Sequence, residues 1–259
     1  MGGRAGWARL PENPGKDPTN PSHCRQRGGT PKGICVQVFR IATKEKIMAT
    51  AASSPSPFDS WQPADLRQLI ASCPLAWVVP ARAPMLASML PLIGVFREED
   101  ILTELIGHFA LSNPLSDALA ADPHATVLFS GPSGYLSPEH AGSRQWGPTW
   151  NYAQARISVE IEMRPELTEE ALDLLIDAME RGREVPWKAA ELGARGTGMM
   201  RRIIGFRAHV RDMRAKFKLG QDESAETLRR LLQALGDDPL AQWMRQFNRS
   251  RLEGDDGGA

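Results

Sequence analysis

The chain has few cysteines and no long hydrophobic run. Its 259 residues include only three cysteines, Cys24, Cys35 and Cys73, and none of them forms a CxxC pair. An odd number without paired spacing argues against a disulfide framework and favours a reduced, cytoplasmic setting. No apolar run approaches the roughly 18 residues of a membrane span, and the N-terminus lacks the residue order of a signal peptide. We therefore expect a cytoplasmic protein without a membrane partner.

The short motifs of common enzyme classes are also missing. The sequence contains no Walker loop, GxGxxG fingerprint, HExxH motif or Gly-x-Ser-x-Gly elbow. Its five histidines are scattered without metal-ligand spacing, so no metal site is expected. The glycine-rich stretch 193–198 follows a helix-like segment rather than a strand, and we interpret it as a flexible loop. No residue lies in a pattern that identifies a catalytic role, although His108 and His140 are candidates by residue type.

Positive and negative charges balance over the whole chain but not along it. Lys plus Arg and Asp plus Glu both number 31, yet residues 1–47 carry nine basic and three acidic side chains. The remaining body is mildly acidic and does not attract nucleic acid at long range, so contact with DNA would need a local basic patch. One cluster could hold a phosphate, contact nucleic acid or form a solvated strand face. It comprises Arg195, Arg201, Arg202, Arg207, Arg211, Arg214, Lys216 and Lys218.

Composition divides the chain into three parts. Residues 1–57 are rich in Gly, Pro and basic side chains, and we predict either disorder there or an upstream start codon, with Met48 as the alternative to Met1. Residues 58–236 carry regular apolar periodicity and form the predicted domain. Residues 237–259 are expected to be a C-terminal tail that is partly helical and frays from Gly254 onwards.

The sequence of this domain predicts short strands separated by single helices. Alternating apolar and polar residues over 153–163 predict a half-buried strand, and a second alternation covers 206–210. Further strands are predicted at 75–79, 86–93, 105–110 and 125–130, the last stopped by Gly131-Pro132. Helices are predicted from Pro63, over 115–121, from an N-cap at Thr168 to Gly182, and from Ser224 to Leu235. The fold class is therefore α+β, mainly antiparallel β, with a barrel and peripheral helices.

Residues 130–153 concentrate groups that can bind a ligand. This stretch includes the hydroxyls of Ser130, Ser133, Ser137 and Thr149, the amide of Asn151 and four aromatic rings. A planar heteroaromatic ligand with a polar rim needs these residue types together. The alternative is that the aromatics are core or subunit-interface anchors and that the Gly, Pro and Ser residues only turn the chain.

Five motifs in order resemble one known family. They are Gly107-His-Phe-Ala-Leu-Ser-Asn-Pro114, Phe129-Ser-Gly-Pro-Ser-Gly-Tyr-Leu-Ser-Pro138, Pro148-Thr-Trp-Asn-Tyr-Ala153, Ile204-Gly-Phe206 and Lys216-Phe-Lys-Leu-Gly-Gln221. The chain is similar to the PaiB-type FMN-binding negative transcriptional regulators over about residues 58–235. The resemblance implies a split β-barrel related to pyridoxamine-phosphate oxidase-like flavoproteins, a homodimer, and FMN near the subunit interface.

The resemblance also implies which residues bind FMN. The positions that match the family motifs are His108, Asn113, Tyr135, Ser137, Thr149, Trp150, Asn151, Tyr152, Lys218 and Gln221. Lys218, Gln221 and the hydroxyls would contact the phosphate and ribityl groups. Trp150, Asn151 and Tyr152 would shape the isoalloxazine side.

Three departures from the family pattern bear on the cofactor. Ala87-Ser-Met-Leu-Pro91 stands where the family has Asn-His-Leu-Pro, Glu139-His140 replaces a Trp-Tyr pair, and Gly220 replaces a serine. The leading hypothesis is an FMN-binding transcriptional regulator, or repressor, with DNA as a weakly supported partner. The alternatives are an FMN-dependent oxidoreductase acting on a small substrate and a degenerate member that has lost the flavin.

Overall fold

Six antiparallel strands form the body of the protein in a computed structural model that describes residues 56–254. Their bounds are Leu75–Pro80 (β1), Ser88–Phe96 (β2), Leu102–Ala110 (β3), His124–Leu136 (β4), Thr149–Arg164 (β5) and Ile203–Lys218 (β6). The strands close into a barrel in the order β1, β2, β3, β6, β5, β4. The predicted class, mainly antiparallel α+β with a split barrel and peripheral helices, is confirmed.

Strand alternation explains how the barrel is filled. Along β5, Ala153, Ala155, Ile157, Val159 and Ile161 are all buried, and the residues between them lie on the outer face. The predicted alternation over 153–163 is therefore correct, although the strand is longer at its N-terminus. The core inside the barrel combines such residues from every strand, because successive side chains point to opposite faces.

Seven α-helices lie around the barrel in the described part of the chain. They are Pro63–Ser72 (α1), Leu115–Ala121 (α2), Thr168–Met179 (α3), Ala194–Met200 (α4), Ala225–Leu235 (α5), Pro239–Phe247 (α6) and Arg249–Glu253 (α7). Helix α2 connects β3 to β4 at one end of the barrel, which we call the α2 end. Helix α6 packs against the far end of β4, where Leu240 lies beside Gly134, and we call this the α6 end.

Several sequence predictions need correction. Strand β4 does not stop at Gly131-Pro132 but passes through it with a register shift between Ser130 and Ser133. A β-carbon on Gly131 would lie 2.7 Å from the Leu69 side chain and 3.1 Å from the β-carbon of Ala153, so any other residue would require Leu69 to move. The stretch 193–198 is not a loop, because most of it belongs to helix α4.

Thr168 does not cap its helix. It is the first residue of α3, and its hydroxyl accepts a hydrogen bond from the backbone N–H of Gly205 at 3.0 Å. Gly182 adopts the positive φ of 86° expected after a helix, two residues beyond the C-cap Glu180. By contrast, Ser224 caps α5 as predicted, since its hydroxyl accepts the N–H of Thr227.

Cys73 follows α1 and is half-buried against the core, where burial raises the pKa of its thiol. Within residues 56–254, no helix is long and apolar enough to cross a membrane. The same residues contain no cluster of three His, Cys, Asp or Glu side chains that could hold a metal ion. The predictions for residues 1–55, including Cys24, Cys35 and Met48, and for 255–259 lie outside the described residues.

Candidate functional site

The hairpin of β4 and β5 presents two aromatic side chains at the α6 end. Tyr135 and Trp150 are cross-strand partners with ring centroids 5.9 Å apart and ring planes inclined by 59°. Both remain exposed, at 49% for Tyr135 and 58% for Trp150. Exposed aromatic faces of this size are available to a planar ligand or to a second protein surface.

Lys218 lies beside this hairpin at the last position of β6. It is the cross-strand partner of Tyr152, and its ammonium group donates a hydrogen bond to the hydroxyl of Thr149. The ring of Phe58 lies 5.8 Å from the ammonium nitrogen. These contacts fix a half-buried cation next to two predicted site residues, so the structure brings Thr149, Tyr152 and Lys218 together as the sequence suggested.

Three other predicted residues are occupied by internal contacts. Asn151 is only 2% exposed, and its amide nitrogen lies 3.7 Å from the sulfur of Met244. Gln221 accepts a hydrogen bond from the N–H of Leu219 at 2.7 Å and donates one to the carbonyl of Phe217 at 2.6 Å, which closes the turn after β6. The hydroxyl of Ser137 accepts the N–H of Glu139. These side chains shape the site rather than face outward.

The loop between β4 and β5 is tied to the turn after β6. The indole N–H of Trp146 donates to the carboxylate of Glu223 at 2.9 Å, and the backbone carbonyl of Glu223 accepts from Arg251. Arg251 also donates to Asn248, whose amide nitrogen bonds the carbonyls of Leu219 and Met244. Asn248 is fully buried. The C-terminal helices therefore hold both loops of the α6 end in place.

The remaining two predicted residues lie at the α2 end. His108 is on β3 opposite Gly205 of β6, and burial lowers the pKa of its imidazole. Its Nδ1 is buried and has no hydrogen-bond partner among the described residues. Asn113 accepts hydrogen bonds from the Ser88 hydroxyl at 3.2 Å and from the N–H of Leu115 at 3.0 Å, so it anchors the start of α2.

The ten predicted residues thus form two groups. Eight lie at the α6 end, whereas His108 and Asn113 lie at the α2 end. Strands β5 and β6, of 16 residues each, run between the ends, and at about 3.3 Å per residue each covers about 50 Å along its path. One protomer does not bring the two groups into a single pocket.

Between the ends, the outer face carries a feature that the sequence did not reveal. Successive cross-strand partners form one continuous row over five strands: Met89, Trp77, Leu128, Arg156 and Arg214. All five side chains are exposed, and the first three are apolar. We call these five residues the outer row. Of the five, only Arg156 falls in a stretch whose alternation predicts an outward side chain, and the register between strands is not readable from one sequence.

The predicted site residues are therefore divided between the two ends of an antiparallel barrel, with exposed aromatic and cationic groups on the wall that joins the ends. A family described as "Putative FMN-binding domain" matches residues 54–212. The chain belongs to this family, which confirms the resemblance found from the motifs. Lys218, Gln221 and helices α5 to α7 lie beyond the matched residues.

Two kinds of relative accompany the family match. "Protease synthase and sporulation protein PAI 2" from Bacillus subtilis (strain 168) is 29% identical over 173 residues, which cover 65% of this chain and 82% of the relative. The FAD and heme binding protein from Mycobacterium smegmatis is 21% identical with a TM-score of 0.49 and coverage of 66% of this chain and 78% of that chain. The flavocytochrome Anf3 from Azotobacter vinelandii is 15% identical with a TM-score of 0.43, covering 62% and 69% respectively.

Proposed function

We propose that this protein is a homodimer that binds FMN between its protomers. The observation that carries this proposal is the division of the predicted site residues between opposite ends of one barrel. Each flavin would contact the α2 end of one copy and the α6 end of the other. In a two-fold dimer packed through the outer face, the two ends meet when the symmetry axis runs perpendicular to the strands, because such an axis reverses the strand direction.

The residues present fit the cofactor at both ends. His108 offers a buried ring nitrogen that lacks a partner within the described residues, and a ligand atom could satisfy it. Tyr135 and Trp150 offer exposed ring faces, and Lys218 offers a fixed positive charge. Bound FMN would supply electron transfer, while these side chains would orient the ring and contact the ribityl chain. Met89 and Gly220 lack the imidazole and hydroxyl of the family pattern but leave these groups intact.

The apolar part of the outer row supports the dimer. Trp77 is 44% exposed, between Met89 at 46% and Leu128 at 36%, and Leu75 next to them is 50% exposed. Contiguous apolar side chains on a sheet face usually mark an interaction surface. A second copy of this chain is the occupant that would also complete the flavin site.

Complementation between variants tests the shared site. His108→Ala damages the α2 end and Trp150→Ala damages the α6 end, so each variant alone should bind FMN weakly in an absorbance or fluorescence titration. Unfolding and refolding the two variants together should restore about a quarter of the wild-type sites, because half of random dimers are mixed and each contains one intact site. A site built within one protomer would show no recovery.

We further propose that this protein regulates transcription. The resemblance to the PaiB-type regulators implies this role, and the name of the Bacillus subtilis relative, which refers to protease synthesis and sporulation, agrees with it. Such a role belongs in the cytoplasm. Direct DNA contact would show as binding to promoter fragments that weakens steeply between 50 and 200 mM salt, as counterion release requires. Binding that ignores salt would contradict direct contact.

An oxidoreductase is the second candidate, and a cavity supports it. A surface cavity of about 480 Å³ lies at the α2 end, next to the strand that faces His108. Its walls mix apolar and charged groups and include Leu111, Thr168, Arg201 and Ile204. A small substrate could bind there. Bleaching of bound flavin by NADH or NADPH would favour this function, and a colourless protein that takes up no FMN would contradict both functions.

A further inference from the structure

Arg156 and Arg214 face each other on the outer side of the barrel. They are direct cross-strand partners on β5 and β6, and both are exposed. Side chains in this relationship have β-carbons about 5 Å apart, so two positive charges there repel each other. An anion between the two guanidinium groups would remove this repulsion.

Other arginines on the same two strands have acidic partners. Arg211 pairs with Glu160, Arg207 with Glu104 at 2.8 Å, and Arg164 with Glu162 at 2.6 Å. These pairs lie towards the α2 end, where the positive and negative side chains on the outer face of β5 and β6 balance each other.

The arginine pair is different. Within residues 56–254, the side chain of Arg156 makes no hydrogen bond or ion pair. Arg214 approaches only Asp212, at 3.9 Å, and the two side chains are 75% and 67% exposed. Among the arginines of these two strands, this pair is therefore the one whose charge is left uncompensated, and it lies between the two ends.

The side chains at neighbouring positions supply the other groups that a ligand site needs. In the adjacent row, Ser130 and Gln154 are cross-strand partners, and neither side chain makes a hydrogen bond within the described part of the chain. On the other side, Leu128 and Trp77 continue the outer row as an exposed apolar surface. Two guanidinium groups, a hydroxyl and an amide bind phosphate well, and an apolar surface beside them suits a planar group.

We infer that Arg156 and Arg214 bind the phosphate group of the flavin. This assignment rests on the proposed FMN binding and adds two residues that no family motif identified. It also divides the basic cluster seen in the sequence. Arg207 and Arg211 are neutralised by carboxylates, whereas Arg214 joins Arg156 from the neighbouring strand to bind the anion.

Comparing FMN with riboflavin tests the assignment, because the two ligands differ only by the phosphate. Wild-type protein, Arg156→Ala and Arg214→Ala are titrated with each ligand by flavin fluorescence at fixed salt. Each substitution should raise the Kd for FMN about tenfold or more, as expected for loss of a charge-assisted hydrogen bond. The Kd for riboflavin should change less than twofold, and Arg156→Lys should recover part of the FMN affinity.

Arg211→Ala is the matched control, since it removes an arginine from the same strand face that already has a carboxylate partner. It should leave both flavin affinities unchanged. The melting temperature of Arg156→Ala should equal or exceed that of the wild type, because a repulsion is removed.

Three results would overturn the inference in distinguishable ways. Equal losses of FMN and riboflavin affinity would show that the arginine pair does not bind the phosphate. Unchanged FMN affinity with reduced, salt-sensitive DNA binding would reassign the pair to nucleic acid. Wild-type protein that binds neither flavin would refute the proposed function itself, and the phosphate assignment with it.

Discussion

The backbone N–H of Gly205 donates a hydrogen bond to the side chain of Thr168, at 3.0 Å and out of contact with water. A β-carbon on Gly205 would lie 2.8 Å from the backbone of Leu167 and Thr168. Helix α3 can therefore approach β6 this closely only because position 205 has no side chain, and the hydroxyl satisfies a strand donor that would otherwise be unpaired.

Substitution on either side of this contact should destabilise the protein. Thr168→Val keeps the shape but leaves the Gly205 N–H unpaired, at a cost of about 1–3 kcal/mol in the free energy of unfolding. Gly205→Ala forces α3 away and should cost a similar amount, about 1–3 kcal/mol. Chemical denaturation measures both. Thr168→Ser keeps the hydroxyl and should lose much less, and equal losses in Ser and Val would contradict this explanation.

His108 should make stability depend on pH. Because burial lowers the pKa of this imidazole in the folded state, the unfolded chain takes up the proton more readily. Protonation therefore favours unfolding, and stability should fall as the pH drops below 6.5, the ordinary value of a histidine. Urea unfolding at pH 7.5 and 5.5 should show a smaller difference for His108→Gln than for the wild type. An unchanged difference would show that His108 does not contribute.

The outer row should control assembly. Trp77→Lys places a charge among exposed apolar side chains, so we expect the dimer to dissociate, as measured by light scattering after size-exclusion chromatography. Val185→Lys is the control, since Val185 is 83% exposed and lies outside the outer row. The control should remain dimeric. A dimer that survives Trp77→Lys would place the interface elsewhere.

The C-terminal helices should stabilise the α6 end through Asn248. Asn248→Ala removes three hydrogen bonds from a fully buried position and leaves the carbonyl of Leu219 without its side-chain donor. We expect a loss of about 2–4 kcal/mol in unfolding free energy. Hydrogen exchange in residues 219–223 should accelerate as well. Arg249→Ala on the same helix should change neither quantity.

Local patterns predicted the fold well where the structure of a segment depends on residues that are close in sequence. The alternation in β5, the cap at Ser224 and the stripe of Leu66, Leu69 and Ile70 on α1 all appear in the structure. Predictions were wrong where a distant contact overrode the local signal. Gly131-Pro132 resembled a strand stop, but the close approach of Leu69 explains the glycine, and the hydroxyl of Thr168 serves a strand rather than its helix.

The candidate site was predictable in residue type but not in arrangement. Motifs brought His108 and Trp150 into one set, yet the barrel places them at opposite ends. Asn151 and Gln221 matched ligand motifs and are engaged inside the protein. Arg156 escaped notice because its significance depends on facing Arg214 across two strands, and strand register follows from the packing of the whole barrel.

Closure of the barrel limits how this protein can associate. Each of the six described strands has a neighbour on both sides over part of its length, so little free edge is left to which another chain could add a strand. Association through the barrel is therefore made mainly by side chains on its surface. Such an interface can be strengthened, weakened or redirected by single surface substitutions while the hydrogen bonds of the barrel stay intact, so affinity between copies can evolve separately from folding.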